Sequence, residues 1–224
     1  ARWEPLFEVT QIKGQSESHP SLSPNDEFAS WDLWDRGNLT GVPKKPEMIP
    51  KEYWREALKN GLAIETQLGA NPFKYGAQAA TDTHTGLATA DDDNFYGKFK
   101  ALEPGPERMT RPVTRPLVGW EQAASGYTGV WATANTREAI WDALNRRETF
   151  ATTGPRMSVR FFGGYEFAAP DASPDNLAAA GYAKGVPMGG DLTAAPAGKA
   201  PTFLVAAMKD PQGANLDRVQ VVKG

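Results

Sequence analysis

The stretch YGAQAATDTHTG, residues 75–86, decides which fold the sequence predicts. Its first seven residues are mostly small, which is typical of a strand that packs tightly on both faces. Asp82 and His84 follow directly, and Gly86 ends the segment with a turn signal. Both side chains can face the same region where the strand breaks into a loop. In a βα-barrel, the carboxyl ends of the strands converge on one site.

Strands and helices are predicted on both sides of this stretch. An apolar, β-branched segment at residues 6–12 predicts a buried strand. Apolar residues recur at helical spacing over residues 51–68. Thr136 has the side chain of a helix cap and predicts a helix that runs to about Arg147. Two further segments complete this part of the chain: a short helix at residues 27–34 and a strand at residues 127–132.

The pattern changes near Gly154 and Pro155, where strand-like segments begin to alternate with Gly, Pro and Ala. Three of these segments are alternating, apolar or β-branched: residues 157–161, 203–208 and 219–222. They have the pattern of a small antiparallel module. We therefore predict an α/β part at residues 1–155 and a β-sandwich-like module at residues 156–224.

Composition excludes several classes of protein. The chain has 224 residues, a net charge of −3 and no basic stripe, which argues against a nucleic-acid-binding protein. No segment has the roughly 18 apolar residues that a membrane-spanning helix needs. The absence of cysteine excludes disulfides and thiolate metal sites. The composition does not determine the cellular compartment. A periplasmic or exported location would require a signal peptide in the full-length protein.

The chain contains two histidines, and each follows a predicted strand. Imidazole and carboxylate are the usual ligands of a divalent metal when thiols are absent. His19, Asp82 and His84 are therefore candidate metal ligands, and surface-loop histidines are the alternative. Glu17, two residues before His19, is a candidate catalytic residue that bridges metals or orients a ligand. A solvated loop carboxylate is the alternative for Glu17.

The motif TDTHTG resembles the last metal-binding motif of the polymerase-and-histidinol-phosphatase (PHP) superfamily. Longer segments resemble domain-of-unknown-function family 3604, a bacterial family related to the PHP phosphoesterases. These segments are FEVTQIKGQSESHPSLSPNDEFA, NPFKYGAQAATDTHTG, DDDNFYGK and the helix followed by ATTGPR. The resemblance runs from Trp3 to about Gly164 and continues more faintly to the end of the chain.

The resemblance implies a distorted (β/α)7 barrel with two or three divalent ions, such as zinc, manganese or iron, at its strand ends. Asp82 and His84 match the closing ligands of such a barrel, and His19 matches the ligand of an earlier strand. The opening His-x-His motif is absent. We therefore expect the chain to be a carboxyl-terminal portion, completed by a missing amino-terminal part or by a second copy.

Other candidates have plain structural alternatives. Asp91, Asp92 and Asp93 suit a hard cation, although a solvated acidic turn fits them as well. Residues 152–156 offer hydroxyls and a guanidinium to an anion, or form a turn between the two parts. Trp54 and Trp141 are predicted to pack on apolar helix faces.

Two functions remain open. The first is a metal-dependent hydrolase, most simply a phosphoesterase acting on a small-molecule phosphate ester. In such an enzyme the metals activate water and offset the charge that develops on phosphorus. The second is a non-catalytic binding or structural module with a degenerate barrel site.

Overall fold

The computed structural model describes residues 3–33, 35–38, 40–87, 97–99, 105–107, 109–114, 117–122, 126–193 and 195–224. The strands are β1 Leu6–Gln11, β2 Gly14–Gln15, β3 Gly76–Ala79, β4 Pro112–Thr114, β5 Leu117–Val118, β6 Tyr127–Val130, β7 Thr149–Thr152, β8 Ser158–Gly164, β9 Gly185–Pro187 and β10 Thr202–Met208. The helices are α1 Trp54–Leu68, α2 Arg137–Asn145 and α3 Leu177–Lys184. Short 3₁₀ segments lie at Pro46–Lys51, Gly119–Glu121 and Ala169–Ala172. The predicted cation site at residues 91–93 lies outside the described residues.

The first sheet has the strand order β2-β1-β3. β1 pairs with β2 antiparallel and with β3 parallel, and Leu6 lies opposite Gly76 in the register. A parallel pair needs a crossover connection, and α1 belongs to the chain segment that connects β1 to β3. The helix ends at Gly69, which adopts the left-handed conformation with φ 72° and donates its N–H to the carbonyl of Glu65. The strands predicted at residues 6–12 and 75–81 and the helix predicted at residues 51–68 are therefore confirmed as β1, β3 and α1.

The pair β6–β7 packs beside β3 through threonine side chains. The Thr128 hydroxyl donates to the carbonyl of Ala79 at 2.7 Å and accepts from its N–H at 2.9 Å. The Thr149 hydroxyl donates to the carbonyl of Ala77 at 2.7 Å. Helix α2 lies between β6 and β7 in the chain and begins at Thr136, whose hydroxyl accepts the N–H of Ala139 as predicted. The threonines thus satisfy backbone groups of β3 without adding a strand to its ladder.

The carboxyl-terminal part forms an antiparallel sheet of order β10-β8-β9, covered by α3. Its core is Phe162, which is 1% exposed, together with Leu177 and Leu204. Gly181 lets α3 approach closely, because a Cβ at this position would lie 2.5 Å from the Phe162 ring. The strands predicted at residues 157–161 and 203–208 are confirmed as β8 and β10, which pair antiparallel.

The predictions of two elements are wrong. Residues 27–34 form turns in their described part: Asp26 accepts the N–H of Phe28, and Asp32 has a left-handed φ of 45° that no continuing helix allows. Residues 219–222 form no strand, and Val219, for example, is 57% exposed. Their β-branched pattern had no neighbouring strand to pair with in the described structure.

The architecture is therefore mixed α/β, with small sheets and few helices. The described residues form two three-stranded and two two-stranded sheets, and no closed barrel is seen among them. Trp141 also departs from its predicted packing role, because it is 66% exposed. In the described portion of the chain, the helices are too short or too polar to cross a membrane.

Removing the ring of Phe162 should cost more stability than removing a ring at the surface. We expect Phe162→Ala to lower the free energy of unfolding by about 3–5 kcal/mol, because it empties a fully buried site. Phe203→Ala is the matched control: this ring is 46% exposed and stacks on Phe161, so its loss should cost about 1 kcal/mol. Urea unfolding of both variants measures the difference. Equal losses would contradict the assignment of the core.

Candidate functional site

A cluster of charged side chains lies where the parallel strands β1 and β3 end. Lys13 follows β1 and Asp82 follows β3, and parallel pairing brings these two ends to the same edge of the sheet. Asp82 has a left-handed φ of 53°, which turns the chain away from the strand direction. The ammonium groups of Lys13 and Lys98 both bind its Oδ2. Lys98 also donates to the backbone carbonyl of Asp82 at 2.9 Å.

His84 joins this cluster on the other carboxylate oxygen. Its Nε2 lies 3.1 Å from Oδ1 of Asp82, and its backbone N–H donates to the carbonyl of Lys98 at 2.8 Å. The ring also meets Phe99 edge-on, with 4.7 Å between the ring centroids. The imidazole side chain is 53% exposed and remains accessible to solvent. Asp82 thus links two ammonium groups and one imidazole.

The electrostatics of this cluster favour an ionised carboxylate. Burial alone would raise the pKa of Asp82, but hydrogen bonds from Lys13 and Lys98 outweigh it and leave the pKa lowered. The pKa of Lys98 is lowered, first by burial and then by the neighbouring Lys13, against the opposing effect of Asp82. On β1, burial raises the pKa of Glu8, and the negative charge of Asp82 adds to this shift.

His19 has a different set of neighbours. Its Nδ1 accepts the N–H of Ser21 at 3.1 Å, so the neutral ring carries its proton on Nε2. That Nε2 lies 3.5 Å from Oδ2 of Asp35, and the ring packs against Tyr53 with 5.3 Å between centroids. No group of three His, Asp or Glu side chains suited to a metal ion occurs in the described ranges.

The predicted metal ligands are thus only partly brought together. Asp82 and His84 are in contact, whereas within the described residues His19 contacts Ser21, Asp35 and Tyr53. Asp82 and His84 suit a divalent ion in type, but they are two ligands, whereas a zinc site takes three or four from the protein. The donor set of the described residues is therefore incomplete for a metal. The shared ligation of a metal by His19, Asp82 and His84 stays a prediction.

A cleft of about 580 Å³ has one lining residue in contact with each of these two groups. Lys13, which binds Asp82, lines this cleft, and so does Tyr53, which packs on His19. Tyr53 is 2% exposed, and burial, with Asp35 and Glu52 nearby, raises its pKa to about 12. Asp82 and His19 are therefore each in contact with a residue that lines this cleft.

Glu17 is engaged in an ion pair. Its Oε1 accepts hydrogen bonds from Nε and Nη2 of Arg55 at 3.1 and 2.8 Å. The remaining arm of the same guanidinium donates to Asp26 at 2.6 Å and lowers the pKa of that carboxyl. Glu17 and Arg55 line a second cavity of about 700 Å³, whose lining does not include Asp82 or His84. A catalytic role for Glu17 stays a prediction.

Sequence reasoning missed the two lysines. Lys13 carried a usable signal, because it follows β1 as Asp82 follows β3. Lys98 carried none, since it lies 16 residues from Asp82 and no motif or periodicity links the two positions.

The fold and the cluster define a mixed α/β protein with a charged site at the carboxyl ends of a parallel strand pair. The chain belongs to the family described as Protein of unknown function (DUF3604), whose model matches residues 1–224. The resemblance to this family that the sequence motifs indicated is confirmed over the whole chain. No curated protein and no solved structure matches the chain.

Removing the charge of Asp82 should destabilise the protein. In Asp82→Asn the two ammonium groups lose their counter-charge, and we expect the free energy of unfolding to fall by about 2–4 kcal/mol. Asparagine tolerates the left-handed backbone at this position, so the loss reports on charge. Asp191→Asn is the matched control. Its carboxylate is 59% exposed and pairs with Lys74, so the change should cost less than about 1 kcal/mol.

The contribution of Asp82 should also depend on pH. Because its folded-state pKa is below the ordinary value of 3.8, the stabilisation is present above that value and is lost as the pH falls through the folded-state pKa. We expect the stability difference between the wild type and Asp82→Asn to be constant from about pH 5 to 7 and to shrink below about pH 4. Denaturant unfolding at several pH values measures it. A difference that stays flat down to pH 2 would show that the charge is not responsible.

Proposed function

We propose that this chain is part of a metal-dependent hydrolase of phosphate esters, related to the PHP phosphoesterases. In this proposal Asp82 and His84 form one edge of the catalytic site. Further metal ligands come from other parts of the same protein or from a second copy of the chain. The alternative of a non-catalytic binding module is supported by the separate 700 Å³ cavity beside Glu17.

The observation that carries the proposal is the convergence of Lys13, Lys98 and His84 on Asp82. Two ammonium groups bind one oxygen of a single carboxylate, so two lysine side chains lie together at the strand ends. A phosphate ester is an anion with several acceptor oxygens, and lysine is a common partner of phosphate. Lys13 also lines the 580 Å³ cleft, and the proposal places the substrate there.

The imidazole of His84 is suited to metal ligation. A neutral His84 that donates from Nε2 to Oδ1 of Asp82 leaves the lone pair of Nδ1 to bind a metal ion. The side chain is exposed, so an ion and its bound water would have access to it. In this proposal Asp82 and His84 would hold the ion, which would activate water, and the two lysines would hold the anionic substrate.

Metal binding by the chain itself tests this proposal. Calorimetric titration with Mn²⁺ or Zn²⁺ should show weak binding, because the described ligand set is incomplete. His84→Ala should weaken that binding at least tenfold, because it removes one of the two ligands in contact. With p-nitrophenyl phosphate and bis-p-nitrophenyl phosphate, the chain should show turnover close to background.

The matched control changes a charge far from His84 in sequence. Lys199→Ala removes an exposed charge that pairs with Glu166, and it should leave metal binding unchanged. Metal binding that is the same in the wild type and in His84→Ala would remove His84 from the proposed site. Robust metal-dependent turnover that disappears in His84→Ala would show that this chain holds a complete site and needs no further ligands.

A further inference from the structure

The outer edge of β10 has no partner strand within the described residues. β10 pairs antiparallel with β8, and β9 pairs with β8 on the other side, so β10 is the last strand of its sheet. The backbone N–H and C=O groups at such an edge are a template for a further strand. Most of β10 is exposed, including Phe203 at 46% and Met208 at 64%.

This edge lacks the features that usually keep edge strands from pairing between molecules. Natural edge strands are short, or they carry charged residues, proline or a bulge. β10 has seven residues, TFLVAAM, and contains neither a charged residue nor a proline. Its register with β8 runs without a shift from Thr202 to Met208. An exposed, regular and apolar edge of this kind favours pairing with another strand.

The same chain also contains an exposed segment with the composition of a strand. Residues 216–222, which we call the 216–222 segment, have the sequence LDRVQVV and belong to no helix or strand. The side chains of Val219, Val221 and Val222 are 57%, 60% and 55% exposed. β-Branched residues favour a strand, but only where they can pack against a neighbouring strand. An unpaired edge and a strand-forming segment therefore occur together in one chain.

β10 and the 216–222 segment are complementary in an antiparallel register. If Lys209 lies opposite Asp217, Ala207 lies opposite Val219, and a second apolar pair follows two residues further along each strand. Opposite charges then meet at one end, and apolar side chains meet along the same face. Cross-strand pairs of both kinds stabilise a sheet.

The contacts of the 216–222 segment favour a partner strand from another molecule. The guanidinium of Arg218 binds Glu27 and lies 5.1 Å from the centre of the Phe28 ring. In one molecule the segment is therefore held against the α/β part and is not paired with its own β10. A second copy can offer its β10 to the exposed valines while these contacts stay in place.

We propose that the 216–222 segment of one copy pairs antiparallel with the β10 edge of a second copy. Reciprocal exchange across a two-fold axis covers both edges and closes the assembly as a dimer. Each three-stranded sheet then gains a fourth strand, and the exposed valines are removed from water. The interface does not involve the Asp82 cluster, so this inference is independent of the proposed hydrolase activity.

Sedimentation equilibrium over a range of chain concentrations tests the association. The wild type should form a dimer whose fraction rises with concentration. Val219→Lys and Val221→Lys should each raise the dimer dissociation constant about tenfold, because a reciprocal dimer loses two apolar cross-strand contacts in each variant. Leu62→Lys is the matched control: it places the same charge at a leucine that is 56% exposed on α1, and it should leave the constant unchanged.

Two further measurements separate this result from a folding defect and from the proposed hydrolase. The unfolding midpoints of Val219→Lys and Val221→Lys, measured at a concentration where the wild type is monomeric, should match that of the wild type because both valines are exposed. His84→Ala should dimerise as the wild type does.

Cross-linking identifies the strands that pair. The chain has no cysteine, so a cysteine introduced at one position is the only thiol. Ala207→Cys mixed with a size-tagged Val219→Cys should give a mixed disulfide under mild oxidation, because opposite residues of an antiparallel pair lie within disulfide range. Ala207→Cys mixed with Leu62→Cys should give none above background. The double variant Ala207→Cys/Val219→Cys should link between chains.

The proposal is overturned if the wild type stays monomeric at every concentration, or if both lysine variants dimerise with the wild-type constant. A disulfide that forms within single chains of the double variant would also overturn it, because the 216–222 segment would then cover the β10 edge of its own molecule.

Discussion

The parallel pairing of β1 with β3 is the constraint on which the rest of the structure depends. It places the residues that follow both strands at one edge of the sheet, although Lys13 and Asp82 are far apart in sequence. The crossover that contains α1 makes this pairing possible. A slip of one residue in the register would turn side chains to the opposite face and separate the lysine from the carboxylate.

The charge cluster at this edge depends on the carboxylate of Asp82. Lys98 is 4% exposed, and an ammonium group taken that far out of water is tolerated only with a close counter-charge. Asp82 supplies it, and the second ammonium of Lys13 adds a repulsion that lowers the pKa of Lys98. Asp82 therefore holds both lysine side chains at this edge of the sheet.

The α/β part and the antiparallel module meet through polar and aromatic contacts. The indole N–H of Trp131 donates to the carbonyl of Val159 at 2.9 Å, and the guanidinium of Arg160 lies 3.9 Å from the centre of the Trp131 ring. Tyr182 of α3 donates to Glu148, which is 3% exposed. These contacts join the two parts, and the cavity beside Glu17 and Arg55 is lined by residues from both of them.

Local sequence determined the main elements of the fold. Apolar or β-branched runs predicted β1 and β10, a run of small residues predicted β3, and residue periodicity predicted α1 and β8. A capping threonine marked the start of α2. The proximity of Asp82 to His84 followed from their spacing alone. The same reasoning failed at residues 219–222, because a β-branched pattern forms a strand only when a partner strand is available. Only the tertiary structure decided that Lys98 returns to Asp82 and that Arg55 joins Glu17 to Asp26. These contacts link residues from different loops and elements, whose separation in space is set by chain topology and not by any periodicity in the sequence.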